Sequence, residues 1–447
     1  MLDVINKIYL LSGIILFTTL VGKVESGYYL IYFYAFFTFL SYFAILYINT
    51  NMKESNYNTS LLIGEVFFYT AFFVILNNYI SYVYNKDFFV FSAADAKFYH
   101  TQTSLLIHMP LKDAINYYLD FMGFDDLGII LVLYPLYLIE PSNLMLNFFY
   151  IFVGLITALS IYNISLNFIS NRYAFLAALA YSLSSFTIFY HSTGLKESFM
   201  IMLIVLTFDF YYRFLNSRKL LDIFIIVALL ASLFLFRPAI SILIVAAIGL
   251  GSIISKEGNV ALKIFAFILI VILFFMKNYL SSIVESYTTG SVENLISAKE
   301  SKGAIKGGVL FAYAVNIFSQ AFGPLPTFAP TSSKILTTFY SAGLLYRVLL
   351  GVPFWLGVYY AFVGKRSKLY PIFLFALFEM VSLIFILDGL ELRKAMPHMP
   401  FVYITSFWFL DKYDNKIIKI KKVKFFRSFF YSFIIILIIL IFYWNLR

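Results

Sequence analysis

Apolar runs recur along almost the whole chain, at roughly 8–21, 28–48, 61–84, 144–163, 173–190, 199–212, 220–236, 238–255, 261–280, 339–363, 371–387, 396–410 and 428–444. A helix crossing the hydrocarbon core of a bilayer needs about 20 mostly apolar residues. Inside that core every backbone N–H and C=O must find its partner within the protein, which leaves helices or closed barrels. Continuous apolar runs, rather than alternating ones, select helices. The series therefore predicts an all-α, polytopic transmembrane helix bundle of about 13 spans. Of the 447 residues 62% are hydrophobic and only 13% are charged, too few polar side chains to cover a soluble domain of this size. Residues 1–447 read as a single integral membrane domain without an internal repeat. The first run is followed by no small-residue cleavage site and is expected to stay as a span.

One further apolar stretch, 127–139, is short and contains Pro135, which suits a re-entrant or interfacial piece. The net charge of +10 does not point to nucleic acid, because Lys and Arg gather in short loops between apolar runs. Such clusters (Arg213, Arg218 and Lys219; Lys365, Arg366 and Lys368; Lys412 to Arg427) fall on one side when spans are counted. Positive loops mark the cytoplasmic side, so the N-terminus is expected there too, in a plasma or inner membrane. Two long segments, 85–143 and 281–338, then lie outside as external loops, the first carrying short interfacial helices such as Leu111 to Leu119. Long connections of this kind are usually functional.

The unusual polar residues fall on that same outer side. Asp95, Lys97, Tyr99 and His100 form a polar island, and Asp95 and Tyr99, four apart, share one face of a helix. A carboxylate at the end of an apolar span serves either as an ordinary solvated cap or as a functional group, for example a general base toward an acceptor hydroxyl. Asp125 and Asp126 are adjacent carboxylates. They could hold a divalent cation or sugar hydroxyls, or merely cap a turn. Lys196 and Glu197 precede the run from Phe199. Glu suits a helix N-terminus and Lys does not, so Lys196 calls for an anionic partner. Arg237 interrupts about thirty apolar residues; it either snorkels to headgroups or awaits a phosphate. The stretch Glu391 to Pro400 sets Arg393, Lys394 and His398 beside two prolines. That composition suits a cavity lining able to hold phosphate and relay a proton, or equally a basic loop on the headgroups. With no Cys, four His and no HExxH spacing, neither a thiolate nor a zinc site is expected. Nucleotide and dinucleotide fingerprints are missing too.

Taken together, an acid, several cations and apolar surroundings suit a substrate with a lipid tail, a phosphate and a polar head. At this point the chain resembles the GT-C class of membrane glycosyltransferases, which includes protein mannosyltransferases and lipid A aminoarabinose transferases. The likeness rests on Asp95-Ala-Lys-Phe-Tyr99, on Asn143 to Tyr162 with Asn171-Arg-Tyr173, on Lys196-Glu197-Ser198 and on Arg393 to Pro400. It covers roughly 85–250 and, more loosely, 390–410. In two respects the chain departs from the class: two spans precede the one that leads to Asp95, and no soluble C-terminal domain is expected. The resemblance implies Asp95 as catalytic base or acceptor-orienting group, and Lys196, Arg237 and Arg393 as contacts to a lipid phosphate.

The expected activity is thus transfer of a sugar from a polyprenyl-phosphate- or diphosphate-linked donor to a glycan or lipid acceptor at the outer bilayer surface, in surface polysaccharide assembly. O-antigen and capsule polymerases share this logic and length. A flippase for lipid-linked oligosaccharides is the competing class, and a scaffold subunit of a polysaccharide machine a third.

Overall fold

The structure is a computed structural model that describes residues 1–89, 94–122, 126–254, 308–331, 335–364, 367–385, 392–417 and 423–446. Among these, every regular element is helical. The first half comprises α1 (Leu2–Leu20), α2 (Tyr29–Thr50), α3 (Thr59–Asn85), α4 (Ala94–Leu106), α5 (Leu111–Met122), α6 (Leu127–Tyr137), α7 (Asn143–Leu166), α8 (Asn171–Ser182), α9 (Ser185–Thr193), α10 (Lys196–Ser217), α11 (Leu220–Phe234) and α12 (Pro238–Ile254). The second comprises α13 (Gly308–Phe322), α14 (Ile335–Phe339), α15 (Ser341–Val363), α16 (Tyr370–Phe385), α17 (Leu392–Ala395), α18 (Met399–Asp414) and α19 (Val423–Leu446).

Six helices (α1, α2, α3, α7, α10 and α15) are long and apolar enough to cross a membrane, and the bent pair α8–α9 brings the number to seven. The chain is a helical membrane protein. Of the other expected spans, 220–236, 238–255, 371–387 and 428–444 form shorter apolar helices. The run 396–410 is a 3-10 turn followed by α18, and 261–280 lies outside the described residues.

Two local results differ from the sequence reading. The run 173–190 is broken by 49° between α8 and α9, although neither Pro nor Gly stands there. Hydroxyls make the break tolerable: Ser184 Oγ and Thr187 Oγ1 both donate to the Tyr181 carbonyl, at 2.7 and 3.0 Å, beside the Ser184 N–H at 3.2 Å. Side-chain hydroxyls re-satisfying a broken helix is how irregular backbone survives inside a bundle. The segment 281–338 is also more than a loop, since α13 occupies 308–322, and Phe328 and Ala329 beyond it are buried. Asn445 near the end of α19 fixes that stretch by accepting from Phe328 N at 2.8 Å and donating to the Pro326 carbonyl at 2.9 Å. The interior stretch 281–307 lies outside the described residues.

The stretches 111–119 and 127–139 both form short helices. α5 buries Ala114 and Tyr118, one turn apart, and leaves Leu111 and Tyr117 exposed. α6, 11 residues long with Pro135 inside, would span only about 16 Å; Gly128 N at its start donates to the Leu235 carbonyl at the end of α11.

α15 and α18 pack at the centre. A Cβ at Gly357 would meet the Thr405 carbonyl at 2.8 Å, so glycine alone permits this approach. Close backbone contact through small residues is the main packing device where lipid removes the hydrophobic drive between helices. Polar side chains gather at the two ends of the bundle. At one end Tyr173 donates to Asp414, Ser170 to Asp411 and Arg172 to the Thr50 carbonyl. The loops around 50–58, 167–171, 213–222 and 367–369 join there. The opposite end holds the candidate site.

Candidate functional site

Helix α3 ends at Asn85 and α4 begins at Ala94, which brings Asp95 to the end of the bundle away from the basic loops. Arg393 of α17 donates from Nη1 to Asp95 Oδ2 at 2.5 Å. Both are half-exposed, so the pair sits at the surface of the site. Tyr99, one turn further along α4, is buried and donates to Asp126 Oδ2 at 2.7 Å. Burial, together with the Glu197 and Asp95 charges, pushes its phenol well above the usual range. It is therefore a hydrogen-bond donor throughout the physiological range.

Asp126 also receives the ammonium of Lys196. The sequence argument that a lysine at a helix N-terminus needs an anion is answered from within the chain. The next residue, Glu197, is almost wholly buried, with Arg237 Nη2 at 3.9 Å from its Oε1. Arg237, 20% exposed, thus has an interior carboxylate within ion-pair reach. His100 Nδ1 shares a 2.7 Å hydrogen bond with the Tyr137 hydroxyl of α6 and packs on Phe89. Burial holds its imidazole below the ordinary value of 6.5, an effect the Asp87 carboxylate only partly offsets. Asp125 and Glu391 lie outside the described residues.

His398 departs most from expectation. Rather than touching headgroups from a basic loop, it is buried, its Nδ1 3.4 Å from Glu379 Oε2 of α16. Neither ring nitrogen makes an aligned hydrogen bond. Pro397 and Pro400 stand in the first turns of the 3-10 turn and of α18, where a missing N–H is tolerated.

Two charged residues were passed over in the sequence. Glu379 is the lone carboxylate of the 371–387 run, close enough to Arg237 for that charge to act on it. Arg347 is fully buried in α15, donating from Nη1 to the Phe322 carbonyl that ends α13 and from Nε to Met399 Sδ, each at 3.2 Å. An ionisable group inside an apolar run was the available signal in both cases. His191, by contrast, is buried against Gly154 of α7, apart from these pairs.

The result is a layered site. Asp95 with Arg393 is outermost, Tyr99–Asp126–Lys196 lies beside it, and Glu197–Arg237 and Glu379–His398 lie within. Arg393, Lys196 and Arg237 each face a carboxylate of this chain, so positive charge is held in place before any ligand arrives. A divalent cation at Asp126 would have to displace Lys196; among the described residues no group of three or more His, Asp and Glu side chains is gathered to hold a metal. No protein-family model matches the chain, and a comparison with curated proteins finds no match.

Proposed function

We propose that this chain is an integral membrane glycosyltransferase. It takes a polyprenyl-phosphate- or diphosphate-linked sugar donor and passes the sugar to a glycan or lipid acceptor, in surface polysaccharide or glycolipid assembly. The observation that supports this most is the Asp95–Arg393 pair, which joins a possible base and a phosphate-type cation at one edge of the bundle. In this reading Asp95 accepts the proton of the attacking hydroxyl as a new glycosidic C–O bond forms. The sugar–phosphate C–O bond breaks, and Arg393, with Lys196 and Arg237 behind it, stabilises the departing phosphate. The layer of basic loops at the other end faces the cytoplasm by the positive-inside rule. The N-terminus is then cytoplasmic and the site extracytoplasmic, in a plasma or inner membrane, with as many as 13 crossings.

The test is product analysis in cells. The gene is deleted, and surface glycans are compared between strains restored with the wild-type chain or with Asp95→Asn. The expected result is loss of product with the variant, at unchanged protein level. Loss of long chains with single repeats kept assigns polymerisation, and full-length chains lacking one sugar assign single-sugar transfer. Lipid-linked repeats trapped on the inner leaflet would make the protein a flippase, and full activity of Asp95→Asn would remove its catalytic role.

A further inference from the structure

A groove of about 580 Å³ runs between α2 and α3 and opens to the outside of the bundle. Volumes of 300–1,000 Å³ are usual for small-molecule sites. Its lining extends from Ser60 to Phe73 along α3, about 20 Å of helix at 1.5 Å per residue. The lining changes character along that length. Ser60 and Glu65 lie toward the basic-loop end, whereas Phe37, Phe72 and Phe73 line the part nearer the middle of both helices, where the Ser41 and Tyr69 hydroxyls pair with each other. Gly64 sits in the wall, and a Cβ there would meet open space.

Glu65 is the unusual member, a half-buried carboxylate on an otherwise apolar flank of two long apolar helices. Its partner is Asn49 of α2, whose Nδ2 lies 3.0 Å from both carboxylate oxygens. The same nitrogen lies 2.9 Å from the Ile45 carbonyl. An amide nitrogen has two hydrogens, so one donor remains for two carboxylate oxygens with about four acceptor sites. Among the described residues no Lys, Arg or His forms an ion pair with Glu65. An acid at membrane depth with so few donors marks a binding position by default.

We propose that this groove binds a bilayer lipid whose headgroup carries an ammonium, an aminophospholipid. The ammonium sits on Glu65 and supplies the missing donors, and one acyl chain lies along Phe68, Phe72 and Phe73. The polarity gradient fixes the direction, with the head toward the basic-loop end and the tail toward the bundle's middle. This site is independent of the glycosyl-transfer reading, because it lies at the end of α3 opposite Asp95.

The experiment uses the full chain purified in detergent and native mass spectrometry with three synthetic phospholipids of identical tails. They carry ethanolamine, choline or glycerol headgroups. The ethanolamine lipid is expected to bind about tenfold more tightly than the other two, the scale of one charge-assisted hydrogen bond. Glu65→Gln should remove that preference and leave the residual binding of all three. Gly64→Leu, whose Cβ meets open space, should weaken all three lipids while the thermal midpoint in detergent is kept. Equal binding of the three lipids by the wild-type chain, or an ethanolamine preference that survives Glu65→Gln, would overturn the proposal.

Discussion

Nδ1 of His398 and Oε2 of Glu379 lie 3.4 Å apart in the bundle interior, close but not aligned as a hydrogen bond. They join α16 to the turn ahead of α18. Truncating a fully buried side chain leaves a cavity beside its neighbour, at about 3 kcal/mol. Glu379→Ala is therefore expected to lower stability by about that amount. Glu379→Gln, which keeps volume and an acceptor, should cost about 1 kcal/mol. Thermal unfolding in detergent, followed by loss of monodisperse protein, separates the two; equal effects would mean that the carboxyl group, not the volume, matters.

Asp95 and Arg393 should behave as a unit. Single substitutions Asp95→Ala and Arg393→Ala are each expected to reduce product at least tenfold, and the double variant to lose little more than the worse single one. Strictly multiplicative losses, measured as glycan product per unit protein, would show that the two groups act separately.

Lys196 and Asp126 offer a sharper separation of stability from activity. Lys196→Met strands Asp126 beside Tyr99 and should lower the thermal midpoint. Adding Asp126→Leu replaces both charges by apolar groups and should recover much of the loss, as happens when buried ion pairs are exchanged whole. Product formation should stay low in both. Recovery of product in the double variant would take Lys196 out of the site.

His100 sets a pH dependence. Its imidazole is held below 6.5 in the folded chain by burial, so the unfolded chain binds the proton first as pH falls. Its contribution is complete above about pH 6.5 and declines below it, toward the lowered folded value. The difference in thermal midpoint between wild type and His100→Gln, measured from pH 8 to 5, should narrow with falling pH. A constant difference would mean that His100 does not titrate in this range.

Gly194 ends α9 at φ +72°, and a Cβ there would come within 2.5 Å of Leu146 Cδ2. The left-handed backbone costs about 1–2 kcal/mol for any L side chain, and the overlap a further 1–3 kcal/mol. Gly194→Ala should lower expression and the thermal midpoint, and Leu146→Ala in the same chain should relieve part of the loss.

The sequence carried the helical membrane character directly, because apolar run length reports on the solvent a helix sees. Asp95 and Tyr99 stood out as a polar island, and their shared helix face was readable from a spacing of four. The pairings were not: Lys196 demanded an anion, but that Asp126 supplies it depends on how α6 docks on α11, which no local pattern encodes. The bend between α8 and α9 escaped notice because its device is two hydroxyls, Ser184 and Thr187, and hydroxyls also occur in straight helices. Glu379 and Arg347 were legible in principle, each a single charge in an apolar run, and were read as part of a span.

The seating of residues 326–328 on Asn445 has a consequence for synthesis. Chains emerge N-terminal first, and these contacts bridge about 117 positions. Phe328 N and the Pro326 carbonyl therefore wait for these partners until α19 arrives. Substitutions at Asn445 should act at that stage, trapping chains that are inserted but not closed, even though the residue lies far from Asp95 in sequence.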